Sequence, residues 1–168
     1  MTKRNVMITI RTARTETADD LFENDILFDL DSESDEQSDS PEPTDMIVEG
    51  RFCTGKSRVE LVYEEGELSG MAGSVTSIGF DRENPDVVSM IRTGSVETAL
   101  VFEEGKRHFS VYDTPISSFQ VGVHTLLVDN RLLTDGIIQL DYLVEIHGAQ
   151  AEHCRMVIAM RPAEKWQA

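Results

Sequence analysis

Gly136–His147 reads Gly-Ile-Ile-Gln-Leu-Asp-Tyr-Leu-Val-Glu-Ile-His, and its alternation decides the fold. Ile138, Leu140, Tyr142, Val144 and Ile146 recur at every second residue, the period of a strand with one buried face. Downstream, His147-Gly148 is a turn and Glu152–Met160 is a last strand. A plain two-residue loop here would send Cys154, Met156, Ile158 and Met160 away from the core. The pattern therefore requires either a loop of odd length or a bulge in the last strand.

Working upstream, Asn130–Asp135 is a connection, and Ile116–Asp129 is a long strand with Gly122 in its middle, where glycine marks a bulge or sharp bend. Asp113-Thr114-Pro115 turns the chain after the short strand His108–Tyr112. Glu97–Phe102 runs into Glu103-Glu104-Gly105-Lys106, a hairpin turn with glycine where positive φ is needed. Val87–Arg92 follows the turn Asp81–Asp86, which Pro85 closes. Ser74–Phe80 puts Thr76, Ile78 and Phe80 on one face, and Arg58–Leu68 does the same for Val59, Leu61 and Tyr63. Met46–Phe52 is a further strand, and Val6, Ile8 and Ile10 mark an opening strand within Lys3–Thr12. The expected fold is all-β: an antiparallel up-and-down barrel of about 8–10 strands, which abolishes free edges. Phe80, Phe102, Phe109, Leu100, Met90 and Leu140 are expected to line or fill it.

The 168 residues predict a single domain, 1–168. Its formal charge of −16 is unevenly spread, because Glu16–Asp45 holds thirteen of the 31 acids and no Lys or Arg. We read residues 16–45 as an acidic, partly disordered insertion, too polar over Asp31–Asp45 to order itself. Within it, Leu21, Phe22, Ile26, Leu27, Phe28 and Leu30 form an apolar set expected to dock on the barrel or on a dimer partner, or to fold on contact with another protein. Such an acidic chain is expected to avoid nucleic acid and anionic membranes. No apolar run reaches the roughly 20 residues of a membrane helix, and Val6–Ile10 is too short for a signal-peptide core, so a cytoplasmic location is expected. Cys53 and Cys154 fit no metal or redox spacing and are expected to be free, buried thiols.

The order and spacing of Val48-Glu49-Gly50, Tyr63-Glu64-Glu65, Leu68-x-Gly70-x-x-Gly73, Arg92-x-Gly94-x-Val96, Val101-Phe102-Glu103-x-Gly105, Tyr112-x-Thr114-Pro115 and Val121-Gly122-Val123-x-Thr125 resemble the YwiB-like family of bacterial proteins. That family is a domain of unknown function with a calycin-like, or lipocalin-like, β-barrel. Ile116-Ser117 replaces the family's Tyr-Gly type of turn after Thr-Pro, and the acidic segment is longer than the family's usual connection. The resemblance implies a barrel and implies no activity, substrate or catalytic residue.

No nucleophile elbow, phosphate loop, dinucleotide fingerprint or zinc spacing is present, so neither an enzyme nor a cofactor or metal is expected. His108, His124, His147 and His153 share no ligand spacing. Arg92 follows Val88 and Met90 on one face, and Glu65 follows Val59, Leu61 and Tyr63, so a cation and an acid can meet inside the barrel. Their pairing would fix barrel register, or Arg92 would anchor a ligand carboxylate. With Tyr63, Tyr112 and Tyr142 they make the candidate ligand site: Arg92, Tyr63, Glu65, Tyr112 and Tyr142. The expected function is binding of a small, partly apolar or anionic ligand. The alternative is an interaction or assembly module acting through a homodimer surface or the acidic segment.

Overall fold

The structure, a computed structural model, describes residues 2–16, 44–66, 71–147 and 149–163. The apolar set Leu21–Leu30, the stretch 67–70 with Leu68 and Gly70, Gly148 and the tail from 164 onward lie outside the described residues. Ten strands follow in order: β1 (Thr2–Glu16), β2 (Thr44–Thr54), β3 (Arg58–Glu64), β4 (Val75–Asp81), β5 (Asn84–Thr93), β6 (Thr98–Glu103), β7 (Arg107–Asp113), β8 (Ser118–Arg131), β9 (Ile137–Ile146) and β10 (Ala149–Pro162). No helix among the described residues is long and apolar enough to cross a membrane.

Each strand pairs antiparallel with its neighbours in sequence, β6 and β7 excepted, and β1 also pairs with β10. The order is β6-β5-β4-β3-β2-β1-β10-β9-β8-β7, so the two ends of the sheet are β6 and β7. These are joined at one end by the Glu103–Arg107 turn, where Lys106 N–H donates to Glu103 O at 3.0 Å. At the other end Glu97 and Asp113 exchange backbone hydrogen bonds of 2.8 and 2.9 Å. Between those ties no ladder joins β6 to β7 among the described residues. The up-and-down barrel is thus nearly closed, and one seam of unpaired edge remains where full closure was expected.

Period two places Val6, Ile8 and Ile10 inside, with Val59, Leu61, Ile78, Phe80, Val88, Phe102, Leu140 and Ile158 around them in one buried cluster. A fully buried side chain of this size stabilises by about 1.5–3 kcal/mol, so this face holds the fold together. The β8–β9 connection is a single helical turn, α1 (Leu132–Asp135), whose Leu132 is buried. Gly136 ends it in the left-handed conformation (φ 74°), its N–H donating to Leu132 O at 3.1 Å.

The last hairpin keeps its core through a bulge. Ala149 pairs with Ile146, the register shifts between Gln150 and Glu152, and Cys154 then faces Tyr142, Met156 faces Leu140 and Ile158 faces Ile138. His147 forms the tip with φ 52°. Cys53 and Cys154 are free and buried.

Three local expectations are corrected. Pro85 lies inside β5, and the turn before it is only Arg82-Glu83, with Asp81 pairing Asn84. Gly122 carries no bulge; the register shift in β8 falls between Thr125 and Leu127. Gly122 instead lets a side chain lie over it, since a Cβ there would sit 3.1 Å from the Phe109 ring. Phe109 itself is 60 % exposed, because His108 and Tyr112 share the opposite, inward-leaning face of β7.

Candidate functional site

In an up-and-down barrel all odd-numbered strands run the same way, so their C-terminal halves collect at one end. Tyr63 and Glu65 stand at the end of β3 and just beyond it, Arg92 near the end of β5, Tyr112 near the end of β7, and Tyr142 at the middle of β9. The topology therefore gathers the sequence-predicted residues toward one mouth, but in three separate environments.

The first is a buried polar cluster. Glu65 and Arg92 are 6 % and 8 % exposed. Arg92 Nη2 donates to Glu65 Oε1 at 3.3 Å, and Arg92 Nε donates to Thr76 Oγ1 at 3.1 Å. Thr76 Oγ1 donates in turn to Glu65 Oε1 at 2.7 Å. The ion pair is thus bound into the wall of β3, β4 and β5, where Tyr63 pairs with Thr76 and Thr76 with Arg92. Charges removed from water need such partners, and here each supplies one to the other. Burial, with the Glu65 charge adding to it, holds the Tyr63 phenol above its usual range. Glu65 Oε2 is buried and has no hydrogen-bond partner.

The second is apolar. Tyr142 packs against Phe102 with ring centroids 4.8 Å apart, and burial keeps its phenol protonated well above the ordinary range. Cys154 lies beside it, its thiol raised from 9.0 to about 11 by burial and then by the Glu152 charge.

The third is open. Tyr112 stacks on Phe119 at 5.3 Å and its hydroxyl donates to Met71 Sδ at 3.4 Å. Both Tyr112 and Met71 line a depression of about 510 Å³ at the mouth, with Arg14, Val96, Pro115 and Ile116. Of the five predicted residues only Tyr112 borders it. Arg92 is committed to Glu65 and Thr76.

Arg14 is the residue that sequence reasoning missed. It continues the inward row Val6, Ile8, Ile10 by parity, but the expected strand stopped at Thr12, whereas β1 runs to Glu16. Arg14 pairs in register with Cys154 and is exposed at the rim. Among the described residues it has no carboxylate partner, and its charge reaches Tyr142 and Cys154, where it favours their ionised forms against burial. Thr76 and Thr98 were also missed as site members; both face inward and are buried. No group of three or more His, Cys, Asp or Glu among the described residues could hold a metal ion.

These features define a nearly closed antiparallel β-barrel with a buried ion pair in its wall and an open depression at one mouth. The profile of the family described as Domain of unknown function (DUF1934) matches residues 29–158, and the chain belongs to that family. Among solved structures it is similar to the ywiB protein from Bacillus subtilis, with a TM-score of 0.62 and 11% identity over 94% of this chain and 92% of that one. At that identity the likeness concerns the fold alone, a nearly closed antiparallel barrel consistent with the calycin-like one expected from the sequence. No curated protein matches.

Proposed function

We propose that this protein is a non-enzymatic binding protein whose mouth takes a small, partly apolar anion. One observation carries the reading: a depression of about 510 Å³ opens at the end of the barrel and is bordered mostly by apolar side chains and by Arg14, a cation with no carboxylate partner among the described residues. Small-molecule sites are concave, mostly apolar and equipped with a few polar fixings, in the range of roughly 300–1,000 Å³. Arg14 replaces Arg92 as the anchor in this reading, because an Arg already bonded to a buried carboxylate has little to offer a second one. The test is fluorescence titration with 11-dansylaminoundecanoic acid, an anionic probe, and Nile red, a neutral one. Saturable binding of the anionic probe is expected, weakened about tenfold by Arg14→Gln, with Nile red insensitive to that change. No saturable binding of either probe would overturn it.

A second reading, a homodimer, draws on the outer face of β7, where Phe109 and Val111 are 60 % and 59 % exposed. Sedimentation velocity of the full chain and of Phe109→Lys decides it: a dimer that the substitution dissociates supports the reading, and a monomer at all concentrations removes it.

A further inference from the structure

Along the barrel wall, carboxylates take up Arg11, Arg58, Arg107, Arg131 and Arg155, through Asp45, Glu60, Glu145, Asp135 and Asp141 respectively. The end opposite the mouth is different. Lys3, Arg4, Arg51 and Arg161 are exposed there, and none has an Asp or Glu partner among the described residues. In a chain with 31 acids and 15 bases, a group of four bases without an acid calls for another anion. The four stand on three adjacent strands. Across β1 and β2, Lys3 pairs in register with Cys53, Arg4 with Phe52 and Asn5 with Arg51. Across β1 and β10, Met7 pairs with Arg161. Arg4 and Arg161 border one common hollow of about 90 Å³, together with Asn5, Val6, Phe52, Met160 and Pro162. The Arg4 guanidinium lies over the Phe52 ring, 5.7 Å from its centroid, so this cation is held in place before any ligand arrives.

We propose that this hollow, at the foot of β10, β1 and β2, is a second site, which takes a phosphate monoester with a short apolar stem. The chemistry of the border selects both halves of the ligand. Two guanidiniums on one hollow offer two forks of N–H donors, a match for the oxygens of a phosphate. Lys3 and Arg51 stand one register step from Arg4 and Asn5 and favour a dianion over a single carboxylate charge. Val6, Phe52, Met160 and Pro162 present apolar surface to the same space, so the ester carries carbon rather than a second charge. The volume limits that stem to a few carbons, since 90 Å³ is the share of roughly three water molecules. A nucleic acid does not fit this reading, because a formal charge of −16 repels a phosphate polymer while one small anion meets only the local cations. The site is independent of the binding reading above, since Arg14 and its depression lie toward the other end of β1.

The experiment is NMR titration of the full, nitrogen-15-labelled chain with n-butyl phosphate, inorganic phosphate and 1-butanol at constant ionic strength. Butyl phosphate is expected to shift the Asn5 and Phe52 amides and the Arg4 and Arg161 side-chain N–H signals saturably. Inorganic phosphate should bind the same residues more weakly, and butanol not at all. Arg4→Gln and Arg161→Gln change exposed side chains and are expected to fold, each weakening butyl phosphate about tenfold. Shifts that grow without saturation, or that persist unchanged in both variants, overturn the site. Equal affinity for butyl phosphate and inorganic phosphate overturns the apolar half of the assignment. Glu164→Gln removes the acid that follows Ala163 in sequence. Binding seen only in that variant would mean that Glu164 already engages the cations, and it overturns the site in the native chain. Sedimentation with phosphatidylcholine vesicles containing phosphatidic acid separates the two sources of a phosphate monoester. No co-sedimentation is expected of so acidic a chain, and co-sedimentation lost in Arg4→Gln would overturn the soluble ester in favour of a lipid headgroup.

Discussion

Arg92 and Glu65 show how a single pair can be anticipated from parity and yet change its role once its surroundings are known. Both were legible as inward-facing, because each extends an alternating apolar row by one step. Thr76, which turns the pair into a closed triangle, was not, since its strand neighbours become known only from register. Arg92→Met leaves Glu65 as an unpaired buried charge and is expected to cost about 3–5 kcal/mol in urea unfolding, most of it recovered in the Arg92→Met, Glu65→Leu double variant. Equal stability of the single variant and the parent would mean that Glu65 is solvated. A second expectation concerns alkali. Cys154, at about 11, and the two phenols of Tyr63 and Tyr142 hold their protons in the native state more tightly than the unfolded chain does. Above the unfolded thiol's value of 9.0 the native state therefore binds more protons than the unfolded one, and stability falls as pH rises. The Cys154 contribution disappears between about pH 9 and 11 and is on the order of 2 kcal/mol; the tyrosines extend the loss above pH 10. Urea midpoints at pH 8, 9.5 and 11 measure it, and a flat profile would contradict the burial of these groups.

Among the elements, the last hairpin carries the strongest constraint. The sequence of Glu152–Met160 demanded a bulge or an odd loop, and the register shift between Gln150 and Glu152 answers with the bulge. Parity detects that a residue must be inserted but cannot place it, because any position between the turn and Cys154 restores the phase. Gly122 failed for the complementary reason: a glycine in a strand signals either a bulge or a close neighbour, and only the cross-strand partner, Phe109, says which. Phe109 was in turn assigned to the interior from its type rather than from the row His108, Ser110, Tyr112. Deleting Ala151 should remove the bulge and leave a regular two-residue hairpin in which Cys154, Met156 and Ile158 keep Tyr142, Leu140 and Ile138 as partners, so cooperative unfolding is expected to survive. Deleting Gln150 and Ala151 together shifts the phase by one residue and turns Cys154, Met156 and Ile158 outward. Losing the burial of three such side chains costs on the order of 5 kcal/mol, enough to abolish cooperative thermal unfolding. A cooperative transition of the double deletion within a few degrees of the parent would show that the hairpin can slip back into phase.

For the whole molecule, the closure lies where chain order would not put it. The termini pair with each other through β1 and β10, and the discontinuity falls between two strands joined by a tight turn. A sequence reading finds strands and turns but treats every hairpin as zipped, so Glu97–Phe102 and His108–Tyr112 looked like an ordinary pair. Among the described residues, backbone hydrogen bonds tie them at the turn and at Glu97–Asp113 alone, and the His108–Glu103 side-chain contact adds to the tie at the turn. Because Thr98, Leu100 and Phe102 alternate with Ala99 and Val101, and Glu97 and Asp113 form a hydrogen-bonded pair, extending that register aims the N–H groups of Ala99, Val101, Phe109 and Val111 into the seam. Amide exchange resolved by NMR should find those four exchanging early, on the order of 100-fold faster than Ile8, Ile10 and Ile158 on the paired β1–β10 side. Protection equal to that of β1 would mean that β6 and β7 zip together in solution. The barrel would then be sealed, with no edge left for a further strand to pair.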